Sequence, residues 1–259
     1  MTGSSLKKKL NRRALTIGSW ITIGNEIIAE LMAKMAFDWL TIDMEHSAID
    51  LSEAQKLIRI IQLCGCVPLV RVPENDATVI KRVMDAGAHG VIVPMVNSKE
   101  DAQKAVEAVK YPSQGKRGVG LARAQGYGMG FGAYKDWVNK ESVVIVQVEH
   151  VRAVKHLRSI LGVKGVDGFI VGPYDLSASM GYPGEFLRPA VRTCLEEIIR
   201  VAKALRTTAG IHVIPPDHRE VKARIEEGYR LIAFSLDTLF LANACQTSLT
   251  AISTRRKHA

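Results

Sequence analysis

Five places in the chain hold residue types suited to catalysis: Asp43-Met44-Glu45-His46, Arg71, Gln147-Val148-Glu149-His150, Gly172-Pro173-Tyr174-Asp175 and His212. Each lies in or just after a short β-branched run, which puts it at a strand end. Glu149 and Asp175 are hard oxygen donors. Taken singly, Asp175 would cap the Leu176-Ser177 turn and Glu149 would pair with a lysine. Taken together on neighbouring strand ends, they read as ligands of one divalent ion. Water and substrate would complete the shell, which suits Mg²⁺ or Mn²⁺ better than zinc. Arg71, ending a buried strand, offers its guanidinium fork to a carboxylate, or else forms a structural salt bridge. His46 titrates nearest neutrality and is the natural base; the alternative is a satisfied polar residue beside Asp43 and Glu45.

The elements that must position these groups alternate regularly. Strand candidates are Thr16–Ile23, Trp39–Asp43, Val67–Val72, Gly90–Met95, Val143–Val148, Gly168–Val171, Gly210–Ile214 and Arg230–Phe234. Their nearly continuous apolar runs are those of parallel strands covered on both faces. Between them lie amphipathic stretches that start at Asn25, Asp50 or Ser52, Asn75 and Ser98, then over 151–161, 188–207 and 217–227, with a last helix from about Thr238. Eight βα units without a break predict a single-domain α/β (β/α)8 TIM barrel rather than an open doubly wound sheet. No G-x-G-x-x-G follows the first strand, which argues against the latter. The long Gly-rich connection, residues 115–132 within 111–142, lacks the order of a phosphate loop. It reads as an active-site cover or subunit contact, or as a simple flexible loop.

Carbanion chemistry beside a carbonyl needs a metal or a Schiff-base lysine. None of the eight predicted strands contains a lysine, which leaves the metal. At these residues the chain resembles a known family. F-D-W-L-T-I-D-M-E-H (37–46), P-L-V-R-V-P (68–73), D-A-G-A-H-G-V-I-V-P-M-V (85–96), V-Q-V-E (146–149) and G-V-D-G-F-I-V-G-P-Y-D-L-S (165–177) are similar to the HpcH/HpaI class II aldolases. The resemblance runs from about residue 14 to 240. It implies a metal-dependent carbon–carbon lyase that cleaves a 4-hydroxy-2-oxo acid, of the 2-keto-3-deoxy sugar acid kind, to pyruvate and an aldehyde. It implies Glu149 and Asp175 as ligands of Mg²⁺, Mn²⁺ or Co²⁺, Arg71 on the pyruvate carboxylate and enolate oxygen, and His46 as base. Gln147 and the backbone at Tyr174 would line the pyruvate site, and the assembly would be a homo-hexamer, a trimer of dimers. Asp85 matches an acid that raises the basicity of the histidine. It follows a helix antiparallel to the strands, so it would reach His46 only across a subunit interface. Two departures stand out. His212 replaces a usually apolar residue, which points to a polar aldehyde if it faces substrate and to a backbone hydrogen bond if it does not. His150 follows the metal glutamate where smaller residues are usual.

Bulk properties narrow the alternatives. The net charge of +9 is concentrated at the ends: residues 1–13 and the last five residues carry eight of the nine charges. The expected layout is a basic tail at 1–13, the barrel at 14–250 and a basic tail at 251–259. Charge in frayed ends, with no basic stripe on a folded face, argues against a non-catalytic nucleic-acid-binding barrel. No 18-residue uncharged apolar run suggests a membrane span, and the apolar stretch from Ala14 reads as a strand rather than a signal peptide. The four cysteines lack disulfide or zinc spacing, consistent with a reducing cytoplasm. The nearest enzymatic alternative is a carbon–carbon lyase acting on an acyl-CoA such as malyl-CoA.

Overall fold

A computed structural model describes residues 4–256. Eight strands close into one parallel barrel in sequence order. They are β1 (Thr16–Ile21), β2 (Trp39–Asp43), β3 (Val67–Arg71), β4 (Gly90–Val93), β5 (Val143–Val148), β6 (Gly168–Val171), β7 (Ala209–Val213) and β8 (Leu231–Leu236). The helices are α1 (Ser4–Asn11), α2 (Glu26–Ala33), α3 (Leu51–Leu63), α4 (Ala77–Ala86), α5 (Lys99–Val109), α6 (Phe131–Glu141), α7 (Val151–Lys155), α8 (Leu157–Leu161), α9 (Pro173–Ser179), α10 (Pro189–Leu205), α11 (His218–Glu227) and α12 (Asp237–Arg256). The eight expected strands agree with these to within three residues at each end. No described helix is long and apolar enough to cross a membrane.

Strand side chains alternate, so each strand feeds two apolar layers. Leu40, Ile42, Val70, Val91, Val144, Val146, Phe169 and Ile211 face the helices. Trp20, Trp39, Leu69, Ile92, Ile145, Ile170, Leu231 and Ala233 fill the barrel interior. Gly18 is part of that packing: a Cβ there would lie 2.1 Å from the Trp39 ring. Side-chain caps start several helices, among them Asn25, the Asp50/Glu53 capping box, Asp76 and Ser98.

The structure differs from the expected layout in three places. Residues 4–11, expected as part of a frayed basic tail, form α1. Leu6 and Leu10 are each 1% exposed and join the interior cluster at the barrel floor, the end where the strands begin. Lys7 pairs with Asp167 at 2.7 Å, and Thr208 Oγ1 donates to the Leu10 carbonyl at 2.6 Å. At the other end of the chain α12 continues to Arg256, past the expected limit of 250; residues 257–259, like 1–3, lie outside the described residues. The Gly-rich connection also differs from a bare loop, since residues 131–141 within it are helix α6. It joins α5 to β5, so it lies at the floor and cannot cover the opposite mouth of its own barrel.

Candidate active site

The register of β2 against β3 sets Asp43 beside Arg71. Both end their strands facing inward, and the guanidinium forks onto the carboxylate: Nε donates to Oδ1 at 2.9 Å and Nη2 to Oδ2 at 2.6 Å. Oδ1 also accepts from the Glu45 and His46 backbone N–H groups at 3.0 and 3.2 Å, so one side chain shapes the turn and aims the arginine. Burial opposes ionisation of Asp43, but Arg71 and these two N–H groups hold it below the usual carboxylate range. The Arg71 guanidinium lies 4.3 Å from the Trp20 ring centroid, on its face.

Glu45 leans over the same arginine, its Oε2 3.3 Å from Arg71 Nε and 3.7 Å from His46 Nε2. Burial lifts Glu45 to about 7; Arg71 pulls it down while Glu149, Asp43 and Asp175 push it up. The His46 side chain is 65% exposed, at the rim.

Glu149 follows β5 and is 4% exposed. Its Oε1 accepts from the Met95 backbone N–H at 2.6 Å and its Oε2 from the Gln147 amide. Burial raises its pKa, and neighbouring Asp175 adds to the rise. Asp175 stands in the first turn of α9. Gly172 leaves room for Glu149, because a Cβ there would sit 3.2 Å from Glu149 Cβ and 3.3 Å from its Oε2. Gln147 Oε1 is buried without a hydrogen-bond partner.

His212, on β7, stacks obliquely on Trp20 with ring centroids 5.5 Å apart. Burial pushes it down to about 4, with the Arg71 charge adding to the effect, and its Nε2 has no partner. A groove of about 900 Å³ begins at Pro173, Tyr174 and Phe186, passes His212 and runs outward between α10 and α11. Tyr174 itself is half exposed, edge-on to Phe186 at 4.8 Å. His150 caps α7, its Nδ1 accepting from the Arg152 N–H at 3.0 Å.

Thus the barrel mouth gathers His46, Arg71, Gln147, Glu149, Tyr174, Asp175 and His212. Asp85 is elsewhere. It ends α4 at the floor, where its Oδ1 meets Arg117 Nη2 at 2.5 Å and Gln125 Nε2 at 3.2 Å. Sequence reading gave no role to Asp43, Glu45 or Trp20. The signal was available for Asp43, since Trp39, Thr41 and Asp43 share the inward face of β2.

The HpcH/HpaI aldolase/citrate lyase family matches residues 16–244. The chain belongs to that family. It is accordingly an enzyme of the aldolase/lyase class. Among its relatives, a hydroxypyruvate/pyruvate aldolase of Roseobacter denitrificans is 35% identical, covering 93% of each chain. A 2-keto-3-deoxy-L-rhamnonate aldolase of Escherichia coli is 33% identical over 96% of this chain and 93% of its own. The crystal structure of an HpcH/HpaI aldolase/citrate lyase family protein from Burkholderia cenocepacia superposes with a TM-score of 0.91 at 34% identity, covering 96% of this chain and 99% of its own.

Proposed function

We propose that this HpcH/HpaI protein is a class II pyruvate aldolase, cleaving a 4-hydroxy-2-oxo acid reversibly to pyruvate and an aldehyde. The observation that carries the reading is the facing of two groups at the barrel mouth. On one side stand the carboxylates Glu149 and Asp175; on the other stands Arg71, locked on Asp43, with Glu45 against it. Glu149 and Asp175 both push the Glu45 pKa up, and Asp175 adds to the rise at Glu149; with the orphaned Gln147 Oε1 they form an all-oxygen environment that a divalent cation would neutralise. Glu149 and Asp175 would be the protein's two ligands, with the remaining positions left to water and substrate. When bound, Mg²⁺, Mn²⁺ or Co²⁺ supplies Lewis-acid stabilisation of the negative charge that develops on the 2-oxo acid.

The chain's own residues do the rest. Arg71 holds the substrate carboxylate and offsets charge on the keto oxygen. His46 takes the C4 hydroxyl proton as the C3–C4 bond breaks, releasing the aldehyde and leaving the electron pair in a C2–C3 enolate. A proton delivered to C3 then completes pyruvate. Gln147 and the Tyr174 backbone line the pyruvate side. Lys110, buried and donating to the Val138 and Ser142 carbonyls, is at the floor and out of reach of substrate. We place Asp85 as an aid to His46 only from a neighbouring subunit, within a homo-hexamer. Exposed Leu241 and Ile252 on α12, and Val119, Leu121 and Met129 on the floor connection, support such assembly. The four free cysteines fit a cytoplasmic setting.

The decisive assay supplies pyruvate with a panel of aldehydes, with and without Mg²⁺, Mn²⁺ or Co²⁺, and a parallel arm with acyl-CoA substrates. EDTA should abolish turnover, and borohydride with pyruvate should leave no adduct; a trapped pyruvyl-lysine overturns the mechanism. Glu149→Gln and Asp175→Asn should each stay folded and lose metal-dependent turnover.

A further inference from the structure

At the floor, opposite the carboxylates, a second cavity of about 220 Å³ opens beside α1. Its charged lining is Arg12, Arg13, Lys203 and Arg230, with Thr207 and Thr208 among them and no carboxylate. These cations come from three separate places: the turn after α1, the end of α10 and the residue before β8. No carboxylate lies within ion-pair distance of any of the four among the described residues.

The fold sets where each of these side chains is attached, and fixes the guanidinium of Arg230. Arg230 donates through Nη1 to the Ile225 and Tyr229 carbonyls at 2.7 and 2.8 Å, which orients its guanidinium. Lys203 lies across Gly228, where an added Cβ would come within 2.9 Å of Lys203 Cε. The backbone N–H groups of Arg12 and Arg13 donate to the Lys8 and Leu10 carbonyls at 3.1 and 2.9 Å, which sets where their side chains start, and Leu10 is anchored in turn by Thr208. The basic N-terminal run is therefore folded against the barrel.

Four like charges around one small space repel each other, and an anion among them would relieve that repulsion. Guanidinium forks and threonine hydroxyls together match phosphoryl oxygens. The volume is below the roughly 300–1,000 Å³ of sites for drug-sized ligands, which limits the occupant to a phosphate group with a short body. We propose that this floor cavity binds a small phosphate-bearing anion, either inorganic phosphate or a phosphate monoester. The site is independent of the aldolase reading and stands whether or not that reading does.

The test is calorimetric titration of the full chain in Mg²⁺ buffer with inorganic phosphate and, separately, glycerol 2-phosphate. Thermal unfolding is followed in parallel, with sodium chloride at matched ionic strength as the blank. One site per chain and a saturable rise in the melting midpoint are expected. The stronger of the two probes identifies the source. The double variant Arg12→Gln/Arg13→Gln should weaken binding about ten-fold or more, since hydrogen bonds to charged groups contribute about 1.5–3 kcal/mol. Lys203→Gln should weaken it as well, whereas Lys8→Gln on the exposed face of α1 and Arg71→Gln at the mouth should not. The proposal is overturned by the absence of a saturable response. It is equally overturned if binding is lost in Arg71→Gln but kept in the floor variants, or if a single-stranded oligonucleotide binds more tightly than either probe through the same arginines.

Discussion

Arg71 owes its direction to Asp43, which spends both oxygens on the fork and one also on the following turn. Replacing Asp43 with Asn removes the charge and leaves one acceptor oxygen. We expect Asp43→Asn to lower kcat/KM about 10–100-fold, the usual consequence of losing a residue that orients a site group. Arg71→Lys should be at least as costly, because a point charge cannot reproduce a fork; unchanged kinetics in both would move carboxylate binding elsewhere. For His212, the unpartnered Nε2 beside Trp20 predicts a taste for hydroxylated aldehydes. A neutral imidazole nitrogen either donates or accepts, and a hydroxyl can satisfy it both ways. His212→Leu should shift the kcat/KM ratio of glyceraldehyde to propionaldehyde toward propionaldehyde; an unchanged ratio makes His212 structural. His46, Arg71, Glu149 and Asp175 were legible as strand-end polar residues in apolar surroundings. The Asp43–Arg71 pair was not, because it exists only through the β2–β3 register.

Among the elements, α1 departs most from expectation. Two leucines four apart in an octapeptide with three lysines make too short a pattern to read as an amphipathic helix. The helix is held by what lies beneath it, the open floor of the barrel, into which Leu6 and Leu10 insert. Leu10→Ala should cost about 2–5 kcal/mol, as for other fully buried leucines. The urea midpoint should fall with little change in KM for pyruvate, since the site is at the opposite end. A wild-type midpoint would mean that α1 is only loosely docked. The Gly-rich connection shows the same limit from the other side. Composition marked it as unusual, but its location at the floor follows from joining a helix end to a strand start.

For the whole molecule, burial sets an acid limit on stability. His89 is pushed down to about 4 by burial, with the Arg123 charge adding to the effect. The Gln62 amide lies 2.9 Å from its Nε2, and that amide is oriented by Arg123 donating to Gln62 Oε1 at 2.7 Å. Protonating Nε2 would set N–H against N–H. Between the unfolded value near 6.5 and about 4, the unfolded chain binds a proton that the folded chain refuses. Stability therefore falls as pH drops through that window, by roughly 3 kcal/mol for a shift of this size. Melting midpoints taken from pH 7 to 4.5 should show the decline, and His89→Gln should make it shallower, leaving the share of His212, which burial shifts alike; an equal slope in the variant assigns the acid sensitivity to other groups.

The order of strands and helices, the parallel barrel and the polar character of its mouth were determined by the sequence alone. They rest on near-neighbour physics: β-branched runs favour extended backbone, capping residues start helices, and strand ends in a barrel point one way. Which polar groups meet was decided by the tertiary structure. Barrel closure locks Arg71 on Asp43, pairs Asp85 with Arg117 at the floor, and folds Arg12 and Arg13 over the strand starts. Those meetings depend on register and on packing between segments tens to hundreds of residues apart, and no local pattern in the chain encodes them.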